Sequence, residues 1–434
     1  MEEHNINVKL GDYILDIAAG PFGSNLKVDC FIQRGFPIID GANLKSYKVT
    51  DNITKFVTEE KARSLSRSIA KRNDVIVTIS GNVGQISYIP IESQYEEYLV
   101  SQRQFRVTFD TERVYVPYLV YYFHTREGQH KILSFANQTG VPALAQPLKN
   151  FRNIDISLPD IETQRRIANV IESLSDKIEI NNQINHNLEA QAQALYKSWF
   201  VDFEPFRGGN FVDSELGLIP EGWRVGCYND IISSTVSGDW GKDREVGNYT
   251  HKVSCIRGCD FADVSSGIRG KTPERFILEK NFKNKRLLDK DIVVEISGGT
   301  PTVSTGRICL VSENLLDKYS GNIVCTNFCR VIRPCSGYSS YVFYSWLDKY
   351  KSRVMFGYEN GTSGIKNFQI SDFMEKEPVI IPPQTVIAKF QTIVEFYQAV
   401  IQRNGNERME CETVRDTLLP KLMSGELKIN DLTC

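Results

Sequence analysis

Three arrangements of residues in this chain could do chemistry. Asp40 followed by Glu59-Glu60-Lys61 has the D…E-x-K order of a metal nuclease, in which carboxylates hold a cation that activates water. The same two glutamates also suit the first turn of a helix, where acids meet the positive end of its dipole. Of the ten cysteines, seven lie between Cys227 and Cys335, and Cys255/Cys259 and Cys325/Cys329 each have C-x3-C spacing. That spacing is open to zinc. It is equally open to a core reading, because residues four apart on one strand share a face. The third arrangement is a pair of Gly-rich loops, Ser80-Gly81-Asn82-Val83-Gly84-Gln85 and Ser297-Gly298-Gly299-Thr300, each after an apolar run. Glycine lets backbone approach a ligand closely. Asn and Gln pair bidentately with adenine, and Arg or Lys with guanine. Taken singly, each loop also reads as a plain hairpin turn.

Other catalytic signatures are missing from the chain. It has no G-x-G-x-x-G opening a helix after a strand, no Walker loop and no H-E-x-x-H. The Asn/Asp-Pro-Pro-aromatic loop of amino-methyltransferases is also missing, since Pro382-Pro383 follow Ile381. The five histidines are scattered, without a Cys or Ser partner pattern.

The elements that must position these residues come in two copies. Residues 72–81 read R-N-D-V-I-V-T-I-S-G and residues 289–298 read D-K-D-I-V-V-E-I-S-G. Leu158-Pro159 opens one long helical run and Ile381-Pro382 opens another. Around them, Lys9-Leu10-Gly11 matches Arg224-Val225-Gly226, and Ile39-Asp40-Gly41-Ala42-Asn43 matches Ile256-Arg257-Gly258-Cys259-Asp260. In this alignment Cys259 stands opposite Ala42, Cys325 opposite Ser101 and Cys329 opposite Phe105. The sister copy therefore lacks the thiols, which favours the core reading over zinc. The D…E-x-K acids likewise have no acidic counterparts near Arg257 and Phe276-Ile277-Leu278.

Within the first copy, short β-rich runs (Pro37–Ile39, Val75–Ile79, Gln85–Ile89, Phe105–Thr108) predict strands, punctuated by Gly, Asn and Pro. Helices are predicted over 58–72 and 116–135. The first carries Lys61, Arg63, Arg67, Lys71 and Arg72, matched by Lys280, Lys283, Lys285, Arg286 and Lys290 in the second copy. The pattern is mixed α/β. Residues 203–222, with Pro205, Gly208, Gly209, Gly217, Pro220 and Gly222, read as a linker.

After each copy comes a long amphipathic run stepping by four and three. One carries Ile167, Ile171, Leu174, Ile178, Asn181, Asn185, Leu188, Ala192, Leu195 and Trp199; the other carries Phe390, Val394, Tyr397, Ile401, Asn404, Arg408, Cys411, Arg415, Leu418 and Leu422. Seams this narrow need a partner helix. Shared length, register and a seam asparagine (Asn181, Asn404) favour an antiparallel coiled coil of the two over separate bundles. A polar seam residue fixes register at some cost in stability.

Composition sets the remaining bounds. The chain has 434 residues, 24% of them charged, and a formal net charge of −2. That charge does not advertise a nucleic-acid binder, but clustering on one face counts for more than the total. No apolar stretch approaches the roughly 18–20 residues needed to span a bilayer. The start, Met1-Glu2-Glu3-His4-Asn5, is polar and acidic, so a cytoplasmic protein without disulfides is expected.

Several motifs together resemble the specificity subunit of type I restriction–modification enzymes. They are Gly20-Pro21-Phe22-Gly23-Ser24-Asn25-Leu26-Lys27 with Gly35-Phe36-Pro37-Ile38-Ile39-Asp40-Gly41-Ala42-Asn43-Leu44, then Gly81-Asn82-Val83-Gly84, then Leu158-Pro159-Asp160-Ile161-Glu162-Thr163-Gln164-Arg165-Arg166-Ile167. Leu195-Tyr196-Lys197-Ser198-Trp199-Phe200-Val201-Asp202-Phe203, Gly217-Leu218-Ile219-Pro220-Glu221-Gly222-Trp223 and the closing Leu418-Leu419-Pro420-Lys421-Leu422-Met423-Ser424-Gly425-Glu426-Leu427 continue the series over the whole chain. The second copy departs from the pattern at Ser297-Gly298-Gly299-Thr300-Pro301, after which it carries an insertion, and at Pro382-Pro383-Gln384-Thr385.

The resemblance implies two target-recognition domains, at 1–158 and within 203–380, each reading half of a bipartite, asymmetric site on double-stranded DNA. Helices at 159–202 and 381–434 would form the coiled-coil spacer. Type I methyltransferase (modification) subunits would dock on it, and motor-nuclease (restriction) subunits would join them. S-adenosylmethionine, ATP and magnesium would belong to those partners, so this chain would carry no cofactor and catalyse nothing. The residues expected at DNA are Ser80, Asn82, Gln85, Arg103, and Gln146 and Lys149 near Thr139-Gly140 in the first domain, and Arg257, Ser297, Lys366 and Gln369 in the second. The competing readings are a nuclease using Asp40, Glu59 and Lys61, or a scaffold that reads no sequence.

Overall fold

A computed structural model describes residues 6–137, 140–300, 302–361 and 365–431. It divides into two compact units, residues 1–176 with 412–434 and residues 177–411. Each unit holds one α/β copy together with paired segments of both long helices. No helix among the described residues is long and apolar enough to cross a membrane.

In the first unit a four-stranded antiparallel sheet has the order Ile14–Ala19, Gln104–Phe109, Val75–Thr78, Ile86–Tyr88. Beside it, Phe36–Ile39 runs parallel to Glu97–Val100, with Ile39 opposite Val100. Strand Ile6–Lys9 pairs with Asp155–Leu158 just before the first long helix. The second unit repeats this plan. Its sheet runs Ile232–Ser237, Cys329–Pro334, Ile292–Glu295, Ile308–Leu310. Ile256 lies parallel and opposite Cys325, and Arg224–Cys227 pairs with Pro378–Ile381.

Strand pairing gives the true correspondence between the copies, and it differs from the sequence alignment in places. Ile6 faces Leu158 as Arg224 faces Ile381, so Arg224 matches Ile6 rather than Lys9. Cys325 matches Val100, because each faces the equivalent isoleucine. Glu295 faces Cys329 as Thr78 faces Gln104, so Cys329 matches Gln104. The thiols do not share strands as expected. Cys259 is exposed on the short 3-10 helix Gly258–Asp260, whereas Cys325 ends one strand and Cys329 begins the next. Burial pushes the Cys255 and Cys329 thiols up to about 12, away from the thiolate that zinc requires.

Two predicted helices are broken. Glu59–Ser64 is helical, capped by the Thr58 hydroxyl on the Lys61 amide, but Ile69–Lys71 is a strand paired with Glu97–Val100. Burying Ile69 and Ala70 in that sheet outweighs continuing the helix. The expected cationic helix is therefore divided between a helix, a 3-10 turn and a strand. Val116–His124 and Arg126–Leu133 are separate helices, because the Thr125 hydroxyl accepts from the Gly128 amide and starts a new one. The expected linker is ordered too. Phe211–Ser214 and Gly217–Pro220 form a hairpin, and Ile219 and Trp223 enter the core of the second unit.

The long helices are Ile161–Phe200 and Gln384–Ser424. Asp160 starts the first, accepting from the backbone amides of Glu162 and Thr163, and these bonds hold its carboxyl below the usual range. The helices pair antiparallel. In the first unit Ile167, Ala168 and Ile171 share a core with Leu419, Leu422 and Met423. In the second, Ala192, Tyr196 and Phe200 share one with Phe390 and Val394. Of the expected seam, Ile171, Ile178, Asn181, Val394, Ile401, Asn404 and Leu422 are buried, and Leu174, Leu188, Leu195, Tyr397 and Leu418 are half-buried.

The seam asparagines meet across the second unit. Asn181 Nδ2 donates to Glu407 Oε2 at 3.0 Å, Asn404 Nδ2 to Asn185 Oδ1 at 2.9 Å, and Asn185 Nδ2 to the Ile401 carbonyl at 3.2 Å. Slipping one helix would leave these buried amides unpaired, which is how such groups specify register.

Candidate nucleic-acid interface

The first copy contains a cleft of about 560 Å³ where the loops at the ends of its two sheets converge. Ser80, Asn82, Gln85 and Arg103 all line it. The tight hairpin between Val75–Thr78 and Ile86–Tyr88 supplies Ser80, Asn82 and Gln85, while Arg103 stands exposed on the turn before Gln104–Phe109. The hairpin reading of loop 80–85 and its place in the cleft are thus compatible.

Gln85 is held by a polar relay. The Ser101 hydroxyl donates to Gln104 Oε1, Gln104 Nε2 donates to Thr78 Oγ1 at 3.4 Å, and Thr78 Oγ1 donates to Gln85 Oε1 at 3.3 Å. Among the described residues Gln85 Nε2 has no protein partner. Opposite it is the backbone of Gly41, where a methyl group would stand 3.3 Å from Gln85 Oε1. A half-exposed Gln with one end fixed is preorganised for a planar donor–acceptor edge.

Gln146 and Lys149 are exposed but do not line this cleft. Gln146 sits in the left-handed region (φ 41) just before helix Pro147–Arg152, and its side chain caps nothing. The segment before it runs beside the cleft, with Ala143 bridged to Ser80. Thr139 lies outside the described residues.

Asp40 faces the same cleft but is joined to Lys55 at 2.6 Å. Glu59 pairs with Arg63 at 2.8 Å, and the Lys61 amide is spent on the Thr58 cap. Two of the three D…E-x-K side chains are thus neutralised by neighbouring cations, which is not the arrangement a nuclease reading needs. Among the described residues no group of three His, Cys, Asp or Glu side chains could hold a metal ion.

In the second copy the expected residues are more heavily engaged. Arg257 makes a two-pronged contact with Asp260, Nε to Oδ2 at 3.0 Å and Nη2 to Oδ1 at 3.1 Å, which keeps it firmly charged. Its Nη2 also donates to the Lys271 carbonyl at 2.8 Å. The Ser297 hydroxyl donates to Asn367 Oδ1 at 2.7 Å. Lys366 pairs with Glu359 at 2.7 Å and lies over the Phe356 ring. Gln369 is exposed at the start of helix Ile370–Lys376.

Sequence reasoning missed one residue at this place. Val77 faces Ile86 as Val294 faces Ile308, so the residue matching Gln85 is Arg307. It lies twelve positions after Glu295 rather than seven after Thr78, so the longer loop hid it. The matched echo of Thr78 and Glu295 was the available signal.

Comparison with known proteins bears on these geometries. A family described as "type I restriction modification DNA specificity domain" matches residues 26–190, which span the whole cleft of the first copy. Residues 26–190 are similar to a type I DNA specificity domain. Over longer spans the chain is 28% identical to the MjaIX specificity subunit of Methanocaldococcus jannaschii, covering 87% of this chain and 82% of that one. It is 23% identical to the HindI specificity subunit of Haemophilus influenzae, covering 83% and 88%. A crystal structure of a type I restriction–modification S subunit from M. genitalium shares the fold, with TM-score 0.56 at 14% identity over 97% of this chain and 96% of that one. The chain is thus a homologue of type I specificity subunits, with their mixed α/β recognition domains and paired long helices.

Proposed function

We propose that this chain is the DNA-reading, non-catalytic subunit of a type I restriction–modification complex. The observation that carries this reading is the convergence of Ser80, Asn82, Gln85 and Arg103 on one cleft inside the specificity domain. The domain over 1–158 reads one half of an asymmetric, bipartite site, and the domain within 203–380 reads the other. Segments 159–202 and 381–434 form the spacer on which methyltransferase subunits dock. Motor-nuclease subunits join that complex. S-adenosylmethionine, ATP and magnesium serve those partners in the cytoplasm. Partners that share the phosphate contacts offset the chain's net charge of −2.

Two tests follow from this reading. Purified to homogeneity and given duplex DNA, S-adenosylmethionine and magnesium, the chain should neither methylate nor cut; methyl incorporation would overturn the assignment. In complex with its methyltransferase subunits, Gln85→Ala should cost about 1–3 kcal/mol at one half-site only, as expected for a base-edge contact. Competition binding on half-site variants checks this. A uniform loss over all sequences would make Gln85 a phosphate contact, and no loss would make it a surface residue.

A further inference from the structure

We infer that Arg307, oriented by Glu295, is the guanine-reading residue of the second recognition domain. The inference rests on the proposed function and names the contact by which that domain reads.

The place is equivalent to the cleft of the first domain. Arg307 occupies the position of Gln85, and Glu295 that of Thr78. The backbones of Gly41 and Gly81 line the first cleft, and their counterparts Gly258 and Gly298 lie against the Glu295–Arg307 pair. A methyl group at Gly258 would stand 2.2 Å from Glu295 Oε1 and 3.1 Å from Arg307 Nη2. A side chain at position 258 would displace the Glu295 carboxylate from its bond to Arg307, so the glycine leaves room for the pair. On the adjoining turn the position of Arg103 is taken by Phe328, which is 60% exposed.

The geometry of the ion pair decides what Arg307 can read. Nε donates to Glu295 Oε2 at 2.8 Å and Nη2 to Glu295 Oε1 at 2.6 Å. This uses the side edge of the guanidinium. The end edge keeps a parallel pair of N–H groups, one on Nη1 and one on Nη2, with no protein partner among the described residues. That pair is the fork which meets O6 and N7 of guanine in the major groove. Glu295 is nearly buried, with 9% of its side chain exposed against 39% for Arg307. The carboxylate is therefore the fixed anchor, and the arginine reaches outward from it.

Arg257 makes the contrast. Its side edge is likewise spent on Asp260, but its Nη2 also donates to the Lys271 carbonyl. Both Nη2 protons are used, no end fork remains, and Arg257 braces its loop instead.

The test is selection from random-sequence duplexes by the full chain in complex with its methyltransferase subunits. Wild type should select a site with guanine at one position of the second half-site. Arg307→Ala should lose that preference, weaken binding to the selected site about ten- to hundred-fold, and leave every other position unchanged. Arg307→Lys should weaken that preference without abolishing it, because a flexible ammonium can still reach O6 and N7 but lacks the rigid planar fork. Glu295→Gln should relax the same position, and Arg257→Ala should relax none. Retention of all base preferences by Arg307→Ala overturns the inference. So does a loss spread evenly over all sequences with a shallower salt dependence, the mark of a phosphate contact. If wild type itself selects no sequence, the proposed function falls, and this inference with it.

Discussion

Inserting one heptad into each long helix, after Asp176 and after Cys411, is expected to move the two half-sites apart by about three base pairs. Seven residues add about 10 Å of helix at 1.5 Å per residue, and successive base pairs are about 3.4 Å apart. A heptad is the right unit because it completes nearly two turns and returns the seam to the same face, drifting only about 20°. The insertion points fall between the seam of the first unit, around Ile171 and Leu419, and the asparagine cluster of the second. Neither set of contacts is cut. Sequencing the methylated sites left by the variant complex gives the answer. The same half-sites at a wider gap are expected, and an unchanged gap with methylation retained would show that the helices do not set the spacing.

Gly405→Val should cost the second unit about 3 kcal/mol or more. Gly405 lies inside the second long helix, where a residue with a side chain normally gains up to about 1 kcal/mol over glycine. Here the loop of the recognition domain passes against it. A Cβ at position 405 would stand 2.2 Å from the Gly267 carbonyl oxygen and 2.6 Å from its Cα. Both obstacles are backbone and cannot swing aside as a side chain can. Gly267 is itself in the left-handed region (φ 78), and the next carbonyl back, that of Ser266, accepts from Asn185 Nδ2 at 3.3 Å. Retreat of the loop would therefore also strip a hydrogen bond from the buried amide cluster. Overpacking of this kind costs about 1–3 kcal/mol where side chains can give, and more where they cannot. Thermal melting should show a fall of about 6–12 °C in the transition of this unit, taking about 2–4 °C per kcal/mol for its size. Arg403→Ala, on the exposed side of the same helix, serves as control. Equal melting of Gly405→Val and wild type would mean that the loop is not seated on the helix.

Short-range patterns carried much of this protein in its sequence. The duplicated run at 72–81 and 289–298 became equivalent strands, because a short continuous run of β-branched residues bounded by turn residues suits a strand buried on both faces. The two seams and their asparagines became an antiparallel pair, because a narrow apolar stripe on a helix this long has few other ways to leave water. The loop with Ser80, Asn82 and Gln85 was legible for the same local reason. What the tertiary structure decided was everything that depended on partners distant in the chain. Ile69–Lys71 left its helix because Glu97–Val100 offered a buried ladder. Residues 211–220 became a hairpin whose end packs into a core made by Tyr196, Phe200 and Phe390. Arg307 came to stand where Gln85 stands only through the pairing of Ile292–Glu295 with Ile308–Leu310 across a longer loop. Whether an arginine has a free fork is also invisible in sequence. Arg257 and Arg307 are the same residue type on two loops of one domain, and only the positions of Asp260, Lys271 and Glu295 around them tell the brace from the reader.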